Sequence, residues 1–325
     1  MGWKIPKPFY WASGLATCIG GICIIKDMFG EKEYAGDENM TDKIVIVTGA
    51  NTGIGKAVAQ GMAKRGAKVI MACRDLPKCE QAREEIVLET RNKYVYCRPC
   101  DLAVQKSIRE FVKNFRKEHN KLHILINNAG VMRCPKSLTA DGIEMQLGVN
   151  HMGHFLLTNL LLDTLKSSAP ARVVNVSSVA HSRGTINVND LNSNENYDSA
   201  AAYAQSKLAN ILFTKELAKK LKGTGVTVNA VHPGIVDTEL MRHMSFTKSF
   251  FAGITIKPFF TLLLKSPKQG ARTVLYAALN PSLDDVTGAY FSNCQQIEES
   301  ENAKDEKMAD WLWQTSAKWT KLNTN

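Results

Sequence analysis

The chain has 325 residues, 44% of them hydrophobic and 22% charged, which excludes an intrinsically disordered protein and fits one large α/β domain or two small ones. The formal net charge is +10, but lysines and arginines are scattered along the chain and form no block typical of a nucleic-acid-binding protein. A basic cofactor pocket and a basic membrane-facing surface explain the charge better.

The first apolar segment, FYWASGLATCIGGICII at 9–25, carries no charge. As a helix it is about 25 Å long, at the short end for a hydrocarbon core of about 30 Å. Its first three residues are aromatic and suit a membrane interface. We predict that residues 1–26 form a membrane anchor and that the polar residues 27–42 link it to a catalytic domain. The alternatives are a helix docked on the protein itself and a cleaved signal peptide, which the lack of a small-residue cleavage site weakens.

Short apolar runs alternate with helix-forming stretches from residue 43 onward. This indicates a parallel sheet covered by helices on both faces. Right-handed crossovers then give a single doubly wound, Rossmann-type α/β domain of about seven parallel strands over residues 43–293, followed by a helical tail at 294–325. The pattern predicts strands at 43–49, 68–73, 94–101, 123–130, 171–178 and 226–234, and a turn followed by the closing seventh strand within 280–291. It predicts helices near 54–65, 77–90, 104–118, 145–166 and 200–222.

The first turn after a strand reads TGANTGIG, residues 48–55. Gly49, Gly53 and Gly55 remove side chains where the backbone must turn tightly and approach a pyrophosphate, which then faces the N–H groups of the next helix. The spacing G-x-x-x-G-x-G differs from the common G-x-G-x-x-G fingerprint. A glycine-rich connection without a ligand is the alternative, which the position between the first strand and its helix disfavours.

The second strand ends in ACRD, where NAD-specific sites place an acid against the ribose 2′-hydroxyl. Cys73 occupies the position of that acid, Arg74 follows it, and Lys56 lies just after the glycine motif. Two cations in place of an acid favour the 2′-phosphate of NADP(H), unless both are solvated surface cations. Asp75 is the one acid nearby, and we expect it to cap the following helix instead.

Eight cysteines occur without regular spacing, at 18, 23, 73, 79, 97, 100, 134 and 294. The one C-x-x-C pair, at 97–100, has no second pair to complete a zinc site and ends a predicted strand. We therefore expect reduced thiols and a reducing compartment.

The stretch AAYAQSKLAN at 201–210 places Tyr203 and Lys207 one turn apart on one helix face. A free tyrosine titrates near pH 10, and a nearby ammonium lowers that pKa. Tyr203 is then suited to give a proton to a carbonyl oxygen or to take one from an alcohol. An ordinary surface pair is the alternative, and only the rest of the chain decides against it.

Four motifs in chain order resemble those of the short-chain dehydrogenase/reductase family: TGANTGIG at 48–55, NNAG at 127–130, YAQSK at 203–207 and PG at 233–234. Of the eight tyrosines, only Tyr203 has a lysine four positions on. The stretches VTGANTGIGK, GVMRCP and VNHMGHFLLTNLLL are similar to the membrane-bound retinol dehydrogenase branch. Members of that branch reduce retinaldehyde and other lipid aldehydes with NADPH.

The resemblance implies a catalytic set. Tyr203 transfers the proton, Lys207 also bonds the nicotinamide ribose, and Asn150 anchors a water in a proton relay. Ser178, in NVSS, is our choice for the hydroxyl that bonds the substrate oxygen, with Ser177 as the alternative in register. A serine pair that merely ends a strand and a helical asparagine without a special role are the plainer interpretations.

A cofactor set follows from the glycine motif and the resemblance together. In it, Asp101 contacts the adenine, while Asn128 and Gly130 line the cofactor bed. We reject a metal at His151 and His154, because no carboxylate or cysteine stands at a convincing ligand spacing. The complete set is Gly49, Asn51, Thr52, Gly53, Ile54, Gly55, Lys56, Arg74, Asp101, Asn128, Gly130, Tyr203, Lys207, Pro233 and Gly234.

Residues 235–265 include FTKSFFAGITIKPFFTLLLK, which is rich in Phe, Leu and Ile. A core-packed helix pair and an apolar lid over a lipid substrate are both compatible with it. The sequence thus predicts a membrane-associated, NADPH-dependent reductase of retinaldehyde or a related lipid aldehyde. A reductase of steroid or other lipid ketones and a catalytically idle NADP(H) sensor or scaffold are the alternatives.

The resemblance also suggests a location and an assembly. The endoplasmic reticulum membrane is the expected location, with the mitochondrial inner membrane or a lipid droplet as alternatives. A homodimer through the helices near 104–118 and 145–166 is expected, unless the anchor replaces that pairing.

Overall fold

The computed structural model describes residues 34, 36–236, 238–239 and 264–322. The predicted anchor at 1–26, most of the linker up to residue 33 and most of the apolar segment at 235–265 lie outside the described residues. Within these ranges, no helix is long and apolar enough to cross a membrane.

One eight-stranded sheet forms the centre of the described part of the chain, in the spatial order β3-β2-β1-β4-β5-β6-β7-β8. The strands are β1 (Ile44–Thr48), β2 (Lys68–Cys73), β3 (Val95–Pro99), β4 (Ile124–Asn127), β5 (Ala171–Val176), β6 (Val226–His232), β7 (Tyr290–Ser292) and β8 (Gln295–Ile297). β1 to β7 run parallel, and β8 pairs antiparallel with β7. The predicted doubly wound parallel sheet is confirmed, and β8 adds a strand at the start of the segment predicted as a helical tail.

Helices cover both faces of this sheet. They are α1 (Gly53–Lys64), α2 (Leu76–Thr90), α3 (Gln105–Glu118), α4 (Met145–Leu147), α5 (Gly153–Lys166), α6 (Ser199–Lys220), α7 (Pro267–Leu279) and α8 (Glu306–Trp319). α1, α2 and α7 contribute to one core cluster, whereas α3, α5, α6 and α8 contribute to the cluster on the other face. Successive β1 residues alternate between the clusters, with Val45 and Val47 in the first and Ile44 and Ile46 in the second. Burial on both faces explains why β1 is apolar at these positions.

The winding direction reverses at β1, which lies between β2 and β4. The chain leaves β1 for α1 on one face, and the chain that follows β4 forms α5 on the other face. Connections that diverge to opposite faces leave a crevice at the carboxyl ends of the two strands. The predicted site residues gather at this edge of the sheet.

A disulfide joins Cys79 on α2 to Cys97 on β3, 18 positions apart in the chain. The expectation of reduced thiols is therefore wrong for this pair. The two cysteines meet because α2 packs against β3, a tertiary contact that cysteine spacing does not reveal. Cys73 and Cys100 are buried and form no disulfide with any other cysteine that the structure describes.

Candidate active site

The glycine motif forms the turn between β1 and α1. Gly49 and Gly53 have positive φ angles of 63° and 55°, which disfavour any residue with a side chain. A Cβ at Gly55 would lie 2.3 Å from the Gly49 carbonyl oxygen and 2.4 Å from Asn128 Nδ2. The backbone therefore passes where side chains do not fit, and the N–H groups that begin α1 face the crevice and suit a pyrophosphate.

The floor of the crevice is held by Thr48 at the end of β1. Its hydroxyl accepts hydrogen bonds from the Asn128 N–H at 2.9 Å and the Ala129 N–H at 3.0 Å. The Asn128 side chain donates to the Thr48 carbonyl at 2.9 Å. A Cβ at Gly130 would lie 3.2 Å from Asn150 Oδ1, so the chain after β4 runs close to the predicted catalytic residues.

The crevice encloses a cavity of about 240 Å³. The predicted cofactor residues that line it are Gly49, Asn51, Thr52, Gly53, Ile54, Gly55, Arg74, Asp101, Asn128 and Gly130. This lining fits a nicotinamide dinucleotide. The glycines leave the backbone accessible to a pyrophosphate, and polar side chains, Arg74 and Asp101, line the cavity after β2 and β3. Thr238 and Glu239 line the cavity as well and were not predicted.

The end of β2 presents Arg74 to this cavity while Cys73 is buried at 1% exposure. Asp75 caps α2, where its carboxylate accepts a hydrogen bond from the Lys78 N–H at 3.1 Å, as predicted. Arg74 is therefore the cation that follows β2 in the lining of this cavity, and Lys78 of α2 lines it as well.

Five predicted cofactor residues are not among those that line the cavity: Lys56, Tyr203, Lys207, Pro233 and Gly234. Lys56 forms an ion pair with Glu85 of α2 at 2.5 Å, because its position on α1 faces that helix. Pro233 and Gly234 follow β6, and Gly234 has a positive φ of 88°. The aliphatic chain of Lys265 covers Gly234, since a Cβ there would lie 2.6 Å from Lys265 Cδ.

Tyr203 and Lys207 lie on α6, which Asp198 caps by accepting a hydrogen bond from the Ala201 N–H. Both side chains are buried, at 7% and 3% exposure. The Lys207 Nζ lies 5.6 Å from the Tyr203 ring centroid and donates to the Val176 carbonyl at 3.1 Å. The helical spacing therefore brings the phenol and the ammonium together, as predicted.

The ionisation of this pair is dominated by burial. Burial raises the pKa of Tyr203 to about 12, against smaller lowering effects from a hydrogen bond to Ser178 and from the charge of Arg133. Burial also lowers the pKa of Lys207 to about 8. The expected fall in the pKa of Tyr203 is therefore wrong for the protein alone, because removing the phenolate from water outweighs the neighbouring charges.

The two serines that follow β5 have different environments. The Ser177 hydroxyl is buried and donates to the Lys207 carbonyl at 2.7 Å. The Ser178 hydroxyl lies beside the Tyr203 side chain and accepts a hydrogen bond from the Ala180 N–H at 3.2 Å. Of the two, Ser178 is the one whose hydroxyl lies beside the phenol.

Asn150 lies in a π-helical turn, Gly148–Met152, between α4 and α5. The sequence predicts an uninterrupted helix here. Small residues flank the turn because a Cβ at Gly148 would lie 2.3 Å from Thr139 Cγ2 and one at Gly153 would lie 2.7 Å from the Leu102 carbonyl oxygen. Such turns occur frequently at functional sites.

The Asn150 side chain is fully buried and makes three hydrogen bonds. Its Oδ1 accepts from the Val131 N–H at 2.8 Å. Its Nδ2 donates to the Val131 carbonyl and to the Ser206 hydroxyl, each at 2.9 Å. Asn150 therefore ties the loop after β4 to the helix that carries Tyr203.

His151 and His154 make structural contacts. His154 shares hydrogen bonds with the Thr48 hydroxyl at 2.9 Å and the Asn150 carbonyl at 3.0 Å. His151 contacts the Ser316 hydroxyl at 2.9 Å. Burial lowers the pKa values of His151 and His154 to about 3 and about 4, so both rings are neutral at pH 7. Within the described ranges, no group of three His, Cys, Asp or Glu residues is arranged to hold a metal.

Three supporting residues are absent from the predictions. Thr48 and Ser206 lie inside the quoted motifs, so their polar side chains were the available signal. Gln146 is fully buried and accepts the Arg133 N–H at 2.6 Å, with Nε2 donating to the Tyr197 hydroxyl at 3.0 Å. The partners of Gln146 come from distant loops, and no local sequence pattern indicates them.

Comparison with known proteins agrees with this geometry. Residues 43–248 match the family model described as short chain dehydrogenase. The chain is 51% identical to mouse (Mus musculus) retinol dehydrogenase 13 over 307 residues, which is 94% of this chain and 92% of the mouse protein. It is 53% identical to human (Homo sapiens) retinol dehydrogenase 12 over 274 residues, which is 84% of this chain and 85% of the human protein.

Solved structures agree as well. An uncharacterised protein from Mycobacterium paratuberculosis has a TM-score of 0.72 and 37% identity, covering 90% of this chain and 98% of its own. The RhlG/NADP active-site complex of Pseudomonas aeruginosa has a TM-score of 0.62 and 26% identity, covering 78% of this chain and 95% of its own. The chain therefore belongs to the short-chain dehydrogenase family, whose members bind a nicotinamide dinucleotide.

Proposed function

We propose that the protein is an NADP(H)-dependent oxidoreductase that interconverts retinaldehyde, or a related lipid aldehyde, and its alcohol. The observation that carries the chemistry is the position of the Ser178 hydroxyl against buried Tyr203, one helical turn from Lys207. The retinoid substrate is supported by the names of the mouse and human relatives, about half identical over most of the chain. The reductase of lipid ketones and the idle sensor remain the competing hypotheses.

The proton chemistry belongs to this chain. Tyr203 gives its phenolic proton to the carbonyl oxygen during reduction and takes it back from the alcohol during oxidation. Ser178 donates a hydrogen bond to the same oxygen and holds it beside the phenol. The bound cofactor supplies or accepts the hydride.

Lys207 and Asn150 support the phenol. Lys207 keeps an ammonium in a buried site, where its charge favours the phenolate that forms when Tyr203 gives up its proton. Asn150 connects the loop after β4 to the Tyr203 helix through Ser206. We assign to this asparagine a place in the relay that returns a proton to Lys207.

The choice of NADP(H) rests on the end of β2. Arg74 lies in the cleft, and the position of the expected acid is held by buried Cys73. A guanidinium pairs with phosphate oxygens through charge-assisted hydrogen bonds, whereas the acid found in NAD sites repels them. Lys56 no longer supports this choice, because it is paired with Glu85.

The decisive experiment follows NADPH oxidation at neutral pH by detergent-solubilised full-length protein with all-trans-retinaldehyde. We expect turnover with NADPH, weak turnover with NADH and none with Tyr203→Phe. Ser178→Ala should lower kcat by about 100-fold or more, whereas Ser177→Ala, which removes a bond to a backbone carbonyl, should act mainly on stability. NADPH binding without reduction of retinaldehyde or of a medium-chain aldehyde would overturn the substrate class.

We further propose that residues 1–26 anchor the enzyme in a membrane, the endoplasmic reticulum membrane first, and that the substrate enters from the lipid. The uncharged stretch at 9–25 supports this. Carbonate-resistant sedimentation of the full chain, lost on deletion of residues 1–26, is the expected result. A homodimer through α3 and α5 is proposed on family resemblance, and its test is the mass of the detergent-solubilised particle.

A further inference from the structure

The C-terminal segment, residues 294–322, touches the catalytic elements at two buried histidines. His181 hydrogen bonds to Ser300, and His151 hydrogen bonds to Ser316 on α8. We propose that this segment is a positioning element for the reaction, acting through Ser300 and His181 on Ser178. The proposal deepens the function above and rests on the role assigned there to Ser178.

The imidazole of His181 bridges Ser300 and Ser178 by two hydrogen bonds, and these bonds determine its tautomer. The Ser300 N–H donates to His181 Nε2 at 3.2 Å. A backbone N–H only donates, so Nε2 accepts and the proton of the neutral ring lies on Nδ1. Nδ1 then donates to the Ser178 carbonyl at 2.7 Å. The ring is 4% exposed, and burial lowers its pKa, which favours the neutral bridging form.

The bridge holds the backbone from which the catalytic hydroxyl projects. The Ser178 carbonyl accepts the His181 ring at 2.7 Å and the His181 backbone N–H at 3.1 Å. Ser178 is the N-cap of the 3₁₀ helix Val179–Arg183, and its hydroxyl lies beside the Tyr203 side chain. Rotation of the Ser178 peptide breaks both bonds to its carbonyl, so the bridge fixes the direction of the side chain toward the phenol.

The far end of the 3₁₀ helix is held by the same segment. The Asn302 side chain donates to the Gly184 carbonyl at 2.9 Å. A Cβ at Gly184 would lie 2.6 Å from the Ala204 carbonyl oxygen, which places this turn directly against α6 beside Tyr203. Hydrogen bonds from the C-terminal segment therefore hold both ends of the 3₁₀ helix, through His181 at the Ser178 end and through Asn302 at the Gly184 end.

Ser300 offers a clean test of the bridge. Its φ is −66°, which a proline ring adopts without strain. Its hydroxyl is buried and has no hydrogen-bond partner among the residues that the structure describes. Ser300→Pro removes the N–H that His181 accepts. Ser300→Ala keeps that N–H and removes only the unpaired hydroxyl, so it is the matched control.

The experiment compares the two variants in the full-length protein, with retinaldehyde or a medium-chain aldehyde, whichever the wild type reduces. Ser300→Pro should lower kcat by about tenfold, the value of one neutral hydrogen bond, with the KM for NADPH within about twofold of wild type. Ser300→Ala should match the wild type.

Of two replacements for His181 itself, the one with a side-chain N–H donor, His181→Asn, should retain more kcat than His181→Leu.

Hydrogen–deuterium exchange of the peptide covering 177–184 needs no substrate. Exchange should be faster in Ser300→Pro than in Ser300→Ala. Equal exchange in the two variants would overturn the bridge, and faster exchange with an unchanged kcat would overturn its role in the reaction. If the wild type reduces neither aldehyde, the proposed substrate is wrong, and exchange alone still decides whether the segment holds the Ser178 turn.

Discussion

Asn150 and Ser206 are joined by a hydrogen bond of 2.9 Å between the amide Nδ2 and the hydroxyl Oγ. The Ser206 hydroxyl donates in turn to the Tyr203 carbonyl at 2.8 Å. The π-helical turn that carries Asn150 is thereby connected to the backbone of the proposed proton donor. A substitution at Asn150 is therefore expected to alter the position of the Tyr203 backbone, because only two hydrogen bonds separate the two residues.

Asn150→Ala should lower both stability and turnover. The substitution leaves the part-buried Val131 N–H without its acceptor, which costs about 1–3 kcal/mol in the free energy of unfolding. It also breaks the connection to Ser206, and we expect kcat to fall about 100-fold. Urea unfolding and NADPH oxidation measure the two effects. Asn159→Ala, which removes a bond to the Phe155 carbonyl on half-buried α5 surface, is the control that should keep kcat. Full kcat in Asn150→Ala would contradict the assignment.

Arg74→Ala should weaken the binding of NADPH and leave the binding of NADH nearly unchanged. On the proposed binding of the 2′-phosphate by Arg74, this substitution removes one charge-assisted contact, so the KM for NADPH should rise about 10- to 100-fold while the KM for NADH changes little. Steady-state kinetics with each cofactor separates the two values.

The matched control is Lys56→Ala. The Lys56 ammonium is engaged with Glu85, so we expect the ratio of the two KM values to stay at that of the wild type. A rise confined to Lys56→Ala would show that the 2′-phosphate is bound at the start of α1 instead.

Local patterns were sufficient for the sheet and for the position of the site. Strand periodicity, the glycines after β1 and the four-residue spacing of Tyr203 and Lys207 are short-range properties, so one sequence reveals them. The π-helical turn at Asn150 was not predicted, because its cause is the close approach of Thr139 and Leu102 to flanking glycines. Such packing depends on residues that are distant in the chain.

The ion pair of Lys56 and the pKa of Tyr203 also depend on contacts between residues that are distant in the chain. The sequence placed Lys56 near the cofactor, but α2 brings Glu85 to it. It also predicted a lowered pKa for Tyr203, whereas burial raises it. Both errors arise because solvent exposure and long-range contacts, which decide ion pairing and desolvation, are properties of the tertiary structure.

Reduction of the Cys79–Cys97 disulfide should destabilise the domain. A cross-link that closes a loop of this length contributes about 3 kcal/mol by limiting the unfolded chain. We therefore expect dithiothreitol to lower the free energy of unfolding of the wild type and of Cys73→Ala, but not of the double variant Cys79→Ala/Cys97→Ala. An unfolding curve of the wild type that is insensitive to reductant would show that this bond does not form.

The stability contributed by Lys207 should depend on pH. Burial lowers the pKa of this lysine in the folded protein to about 8, from 10.5 in the unfolded chain. Between these values the unfolded state binds more protons, so stability rises with pH.

Relative to Lys207→Met, the wild type should gain about 2–3 kcal/mol in the free energy of unfolding between pH 8 and pH 10. Well below pH 8 the difference should be constant, because Lys207 is then protonated in both states. Urea unfolding of both proteins at pH 7, 8, 9 and 10 measures this difference, and subtraction removes the groups they share. A difference that does not change with pH would mean that Lys207 keeps its ordinary pKa in the folded protein.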